Sequence, residues 1–269
     1  MQIIDTHCHI HDPEFTQKYD ISVDQIINDA ANAGVHEFIC VGTDAKSSQQ
    51  AVDFVVDRAG AYASLALHPH EVAGVSDEFI DGEFAKVRAI AQAKHKKVVA
   101  IGECGLDYYY HESQAVRNAQ KRLFKMHIDL ALASNLPLIF HIRSAFDDFF
   151  AVIDEYAAAG HVIKGVVHSF SAGVAELQGC LDRGLYIGLN GIMTFTKDNS
   201  QLAAAKAVPL SKMLLETDAP FLTPKPFRGT MCQLKHVVVT AQFLSDLRQE
   251  PLDDIATATT TNAKSLFSL

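Results

Sequence analysis

An α/β fold of the (β/α)8 or TIM-barrel class is what this sequence predicts, and three observations predict it. Eight apolar runs of strand length recur along the chain, segments with helical spacing separate them, and 269 residues suit eight such units. The runs are "QIID" (2–5), "EFICVGT" (37–43), "YASLAL" (62–67), "KVVAIGE" (97–103), "LPLIFH" (136–141), "VIKGVVH" (162–168), "GLYIGLN" (184–190) and "KMLLETD" (212–218). Runs that are apolar on both faces mark parallel strands buried between layers, and each return to a parallel neighbour needs a crossover that a helix supplies. Helical spacing is visible over 114–134, where Leu123, Met126 and Leu130 fall at i, i+3 and i+7. The C-terminal "LKHVVVTAQFLSDL" and "LDDIATATTTNAKSLFSL" read as outer helices closing the barrel. A doubly wound open sheet is the rival, but no GxGxxG or GxxxxGK[ST] loop follows an early strand. No linker, low-complexity tract or repeat divides the chain, so residues 1–269 are expected to form one barrel domain.

The composition narrows the function classes. With 23 basic and 32 acidic residues the net charge is −9, which supplies no global attraction for nucleic acid; a phosphate-bearing ligand would need a local positive site, such as metal ions. Five cysteines without CxxC spacing read as reduced thiols. Neither a signal-like segment nor an apolar stretch of roughly 18 residues is present, so the expected location is the cytoplasm, with no membrane and no obligate protein partner.

The strand ends carry the chemistry. His7 and His9 are two apart, on one side of an extended segment, with Cys8 pointing the other way. The third run leads into His68 and His70; the fourth ends in Glu103, the fifth in His141, the sixth in His168 and the eighth in Asp218. In a (β/α)8 barrel these ends converge on one mouth, where catalytic groups sit. Four imidazoles and two carboxylates gathered there would repel and desolvate one another without cations. Two divalent ions account for them: His7, His9 and Asp218 on one, His141 and His168 on the other, Glu103 bridging. Glu103 has an alternative role, hydrogen-bonding a ligand histidine from behind. Four imidazoles favour zinc, manganese or iron over magnesium, which prefers oxygen and keeps its waters. His68 and His70 are expected at the rim, orienting substrate, and His11 at the periphery; His36, His95, His111, His127, His161 and His236 default to solvated surface. Arg143, Lys225 and Arg228 are candidate phosphate contacts, since guanidinium pairs bidentately with phosphate. Cys8 and Cys104 read as packing. Asp218 has a second, catalytic role open to it: accepting the proton of an attacking water and passing it to the leaving oxygen.

The segments "DTHCH", "HPH", "GECGLDY", "FHIR", "VHSFSAG" and "LLETDAPFLTP", in order from residue 3 to about residue 230, resemble the motifs of the TatD-like metal-dependent hydrolases, often described as deoxyribonucleases, within the amidohydrolase-type barrels. The resemblance implies a one- or two-metal barrel that hydrolyses phosphodiester bonds, with 3'-5' exonuclease-type trimming of DNA, or RNA, ends or short oligonucleotides. The sequence departs from the family pattern after Arg228 and Gly229, where Met231, Cys232 and Gln233 stand in place of an Asn-Glu-Pro run. That leaves open how the loop after the eighth strand is held. Two rival functions stand beside the nuclease. A small-molecule metallohydrolase acting on an amide, lactone or organophosphate ester would use a closed pocket; a nuclease would use a groove lined by Arg143, Lys225, Arg228 or aromatics such as Tyr108 and Phe170. A non-catalytic scaffold would bind no metal, and the intact ligand set argues against it.

Overall fold

Alternating valine, isoleucine and leucine make each predicted run fit a pleated surface buried on both sides, and all eight runs are strands. The computed structural model describes residues 2–110 and 113–269; His111 lies outside them. The strands are β1 (Ile3–Cys8), β2 (Val35–Val41), β3 (Ala61–Leu65), β4 (Val98–Asp107), β5 (Leu138–Arg143), β6 (Gly165–Val167), β7 (Tyr186–Leu189) and β8 (Met213–Leu215). Around them run α1 (Pro13–Tyr19), α2 (Val23–Asn32), α3 (Ala45–Val55), α4 (Asp77–Gln92), α5 (Gln114–Ser134), α6 (Phe146–Ala158), α7 (Val174–Asp182), α8 (Asn199–Ala207), α9 (Val237–Arg248) and α10 (Leu252–Phe267). The sheet is parallel in the order β1 to β8. Its seam closes through backbone bonds beyond β8: Asp218 N–H donates to His7 O at 2.8 Å, and His9 N–H to Ala219 O at 2.7 Å. The fold is therefore a (β/α)8 barrel. Among the described residues, no helix is long and apolar enough to cross a membrane.

Two apolar clusters divide the strand residues. Ile4, Ile39, Val41, Ile139, Val166 and Leu214 form the smaller, with Ala263, Leu266 and Phe267 of α10. Ile3, Phe38, Cys40, Leu138, Phe140 and Leu215 belong to the larger, which includes helix faces. Ile3 and Cys8 share that larger cluster although they stand an odd number of positions apart in the strand. An irregularity in the β1–β2 register between Asp5 and Cys8 changes the strand's parity, and His7 and His9 turn toward the mouth.

Strand β5 is clamped by a fully buried aromatic trio. Phe140 meets Phe124 of α5 at 5.9 Å between ring centroids and Phe149 of α6 at 5.1 Å. Phe124→Ala is expected to lower unfolding free energy by about 3–5 kcal/mol, read as a shift of the urea midpoint at unchanged slope.

Two histidines expected at the surface are buried. His127 lies four residues after Leu123, on the same face of α5; its Nδ1–H donates to Leu123 O at 2.8 Å and its Nε2 accepts from Leu67 N–H at 3.0 Å. Burial pushes its pKa down to about 4, so it is a neutral core residue. His236 accepts from Gln233 N–H at 3.1 Å and stacks on Phe227. His36 and His161 are exposed, and His95 is half-buried.

Candidate metal centre

The C-terminal ends of β1, β4, β5, β6 and β8 bring His7, His9, Glu103, His141, His168 and Asp218 to one mouth. His7 Nε2 lies 3.2 Å from both His9 Nε2 and Glu103 Oε2 and 3.6 Å from Asp218 Oδ1, while His9 Nε2 is 3.3 Å from the same Asp218 oxygen. Glu103 Oε1 lies 2.6 Å from His141 Nδ1 and 3.5 Å from His168 Nε2. Three trios have donor atoms close enough to share an ion: His7, His9 and Asp218; His7, Glu103 and His168; His68, Glu103 and His141. Glu103 is common to two of them. No such trio contains both His141 and His168, whose ring centroids are 6.5 Å apart; they meet Glu103 from different sides.

Local backbone explains the placement. Gly102 and Gly105 flank Glu103 with φ of 152° and 146°, and a Cβ on either would meet the carbonyl oxygen of Ile139 or His141 at 2.5 or 2.2 Å. Only glycine lets β4 run this close to β5. Asp218 holds φ 64°, a left-handed conformation that costs a non-glycine residue about 1–3 kcal/mol. Its N–H to His7 and its carbonyl, which accepts from Phe221 N–H at 2.8 Å, pin it there.

Hydrogen bonds behind the imidazoles set their tautomers. His9 Nδ1–H donates to Val41 O at 2.8 Å, and His168 Nδ1 pairs with the Glu216 carboxylate at 2.9 Å, so each ring turns its Nε2 toward the cluster. His141 Nε2–H donates to Asp107 Oδ2 at 3.1 Å, which turns Nδ1 toward Glu103. His68 differs: its Nδ1 accepts from His70 N–H at 3.2 Å, so the neutral ring carries its proton on Nε2, 3.7 Å from Glu103. That makes His68 a hydrogen-bond donor within reach of the site. His70 lies at the lip, 2.9 Å from Asp107.

The protonation pattern is that of a cluster compensating for positive charge. Burial opposes charge on His168 and His141, yet Glu216 and Glu103 raise the first to about 10, and Asp107 and Glu103 the second to about 9. Burial likewise opposes ionisation of Glu103, but His168 and His7 hold it well below the usual carboxylate range. Burial, with neighbouring His168, lowers His7. Protons and divalent cations compete for such donors.

Divalent cations fit this donor set. Ligands about 2.0–2.1 Å from an ion lie roughly 2.8–3.4 Å apart in an octahedral or tetrahedral shell, a range that takes in the 3.2 Å separations of His7 from His9 and from Glu103. Without an ion, His7 and His9 would oppose two nitrogens at 3.2 Å. His7, His9 and Asp218 are suited to sharing an ion, and Glu103 offers oxygens to His7 and His168 on one side and to His68 and His141 on the other.

Sequence reasoning missed three carboxylates. Asp107 and Glu216 orient His141 and His168 from behind. Fully buried Asp5 accepts from Thr217 N–H at 2.9 Å and Thr217 Oγ1–H at 2.6 Å, tying β1 to the segment that carries Asp218. The available signal was alternation: Asp5 precedes His7 by two, Asp107 follows Glu103 by four, and Glu216 precedes Asp218 by two.

All the donors but fully buried His7 line a cavity of about 680 Å³ that also includes His11, His68, His70, Tyr110, Arg143 and Phe221. His11 is buried rather than peripheral, with Nε2 3.2 Å from Ser47 Oγ. Arg143 is the one lysine or arginine among the described lining residues. Arg228 is not brought there: its Nη1–H donates to Thr223 O at 2.9 Å and it stacks on Phe195 at 3.9 Å. Lys225 is exposed and likewise outside the lining. The loop that departs from the family pattern is tucked in, with Met231 and Cys232 buried and Cys232 N–H donating to Pro220 O at 3.1 Å. Tyr108 and Phe170, expected along the groove, are buried, and Tyr108 O–H donates to Asp148 at 2.7 Å. Cys8 and Cys104 are packing residues whose thiols point at the Ile39 and Ile139 carbonyls, and burial raises both pKa values. A second groove of about 660 Å³, between α5 and α6, is lined by Lys125, Asp148 and Glu155 and gathers no comparable donor set.

A barrel whose strand ends gather histidines and carboxylates around cation-sized gaps defines the class of metal-dependent hydrolases. Within that class the chain belongs to the TatD related DNase family, which matches residues 4–268. It is 31% identical over 267 residues to the uncharacterized metal-dependent hydrolase YabD of Bacillus subtilis, covering 99% of each chain. It is 35% identical over 214 residues to deoxyribonuclease Tat-D of Schizosaccharomyces pombe, covering 78% of this chain and 67% of that one. The crystal structure of YJJV, a TatD homologue of Escherichia coli K12, superposes with a TM-score of 0.88 at 28% identity, covering 99% of this chain and 98% of that one.

Proposed function

We propose that the protein hydrolyses phosphodiester bonds at the ends of nucleic-acid strands, DNA foremost, trimming from the 3' end. Two divalent cations would be held by His7, His9 and Asp218, by His141 and His168, and by Glu103 between them. The observation that carries the reading is the meeting of this donor set with one cavity in which Arg143 is the single guanidinium among the described lining residues. The fission yeast deoxyribonuclease supports the choice of DNA.

When bound, the cations would supply Lewis acidity, making a water more acidic and offsetting charge on the phosphoryl oxygens. The chain's own groups do the rest. Arg143 pairs with a non-reacting phosphate oxygen and orients the ester. Asp218 accepts the water's proton at a carboxylate oxygen and delivers it to the leaving alkoxide. Glu216, Val41 and Asp107 keep the His168, His9 and His141 rings from rotating.

A second reading, a small-molecule metallohydrolase, is favoured by the cavity volume, which lies within the range of small-ligand sites. A panel of 3'- and 5'-labelled single strands, duplexes, RNA, closed circular DNA, a lactone, an amide and an organophosphate separates the two. Progressive shortening from the 3' end is the expected outcome. Nicking of closed circles would overturn end trimming, and turnover confined to the lactone or amide would move the protein to the second reading.

The charge distribution adds a quantitative expectation. With one guanidinium in the lining and −9 overall, few counterions are released on binding, so the slope of log K against log salt should correspond to about two or three phosphates. Arg143→Ala should reduce that slope by about 0.7, the value for one phosphate on a single strand. Arg228→Ala should leave it unchanged, because Arg228 is committed to Thr223 and Phe195.

A further inference from the structure

Folding hides aromatic rings where it can, and clustered exposed ones mark places that a ligand covers. Three large exposed aromatics stand at or beside the mouth: Tyr109 and Tyr110, each 59% exposed, and Phe221, 48% exposed. Tyr110 and Phe221 line the cavity from the β4 and β8 sides. The tyrosines are organised around Arg143, whose guanidinium carbon lies 3.8 Å from the Tyr109 ring centroid and 4.9 Å from that of Tyr110. The two tyrosine rings meet edge to face at 4.8 Å, and Tyr110 meets His70 in the same way at 5.5 Å. A planar cation and a phenol ring are thus held side by side next to the donors that gather around Glu103.

We propose that Tyr110 and Arg143 form a subsite that stacks the unpaired base adjoining the scissile phosphate, with Phe221 bounding the opposite side. The proposal rests on the phosphodiesterase reading and deepens it. A lactone or a simple amide offers no flat π-face to such a ledge, whereas every nucleobase does, whatever its identity. Arg143 serves both parts of a nucleotide, its face against a ring and its N–H edge toward phosphate. Base pairing would keep the terminal base in the duplex stack, so the enzyme takes single-stranded or frayed ends ahead of flush duplex ends and shows little preference among the four bases.

The test uses the full-length, metal-loaded protein with two oligonucleotides of equal length, one intact and one abasic at its two 3'-terminal positions. Tyr110→Ala should raise KM on the intact strand roughly tenfold, the scale of one lost base–aromatic stack, with kcat and metal content retained. Tyr110→Phe should restore the wild-type KM, because the ring face acts and the hydroxyl does not. On the abasic strand the KM values of wild type and Tyr110→Ala should converge. Equal weakening of Tyr110→Ala on both strands, or wild-type preference for flush duplex ends, would overturn the stacking subsite while leaving phosphodiester hydrolysis in place. Wild-type inactivity on both strands alongside turnover of a lactone would overturn the phosphodiesterase reading itself, and the subsite with it.

Discussion

Removal of divalent metal is expected to abolish hydrolysis, and a divalent metal should restore it. Six donors from five strand ends meet at separations suited to shared ions, and the ions supply several kcal/mol of transition-state stabilisation, so the fall should be about 10³-fold or more. His7→Ala and His9→Ala should lower bound metal as well as rate, because each removes an Nε2 donor 3.2–3.6 Å from its neighbours. Metal uptake should release protons and weaken as the pH falls, since His141 and His168 hold protons tightly when no cation is bound. Elemental analysis beside rate measurements checks both points. Full activity in a metal-free preparation would refute the centre, and unchanged stoichiometry in both variants would refute this ligand set.

Asp218→Asn is expected to reduce turnover by about 10²–10⁴-fold with little change in KM, the signature of a lost general base. Five carboxylates gather at or below the mouth: Asp5, Glu103, Asp107, Glu216 and Asp218. The Asp218 side chain is the most accessible of those that meet a histidine, at 15% against 6% for Glu103, 1% for Glu216 and 0% for Asp107; Asp5 is sealed against Thr217. Burial alone would raise the Asp218 pKa, but the hydrogen bond from His9 and the charges of His168 and His7 lower it, so the group is ionised and able to accept a proton. The amide keeps an oxygen donor, so most of the metal should remain. Near-normal turnover with metal intact would remove Asp218 from the proton-transfer role and turn attention to His70.

The fold was legible because its signals are local. Apolar runs over four to seven residues mark strands wherever they fall, and all eight align with the barrel strands. The donor positions followed from one topological fact, that parallel strands in a closed barrel end on the same side. His127 shows how a local rule is defeated by its own default: it lies four residues from Leu123 on a helix, yet a histidine's default place is in solvent. Tyr108 and Tyr110 show a second limit. Both follow the same strand, but Tyr108 is buried against Asp148 while Tyr110 stands open beside Arg143, and no periodicity separates them once the strand has ended.

By itself the sequence determined the barrel class and the convergence of His7, His9, Glu103, His141, His168 and Asp218 on one mouth, both consequences of strand order and strand polarity. Only the tertiary structure decided which nitrogen each imidazole presents, because the partners that set the tautomers lie on other strands: Val41 for His9, Asp107 for His141, Glu216 for His168. It also decided that Arg143 reaches the cavity while Arg228 does not, and that β1 shifts parity between Asp5 and Cys8. Each of these depends on register between segments far apart in the chain, as with Asp5 and Thr217, 212 residues apart. Side-chain periodicity within a strand says which face a residue takes, and the alignment of neighbouring strands says what it meets there.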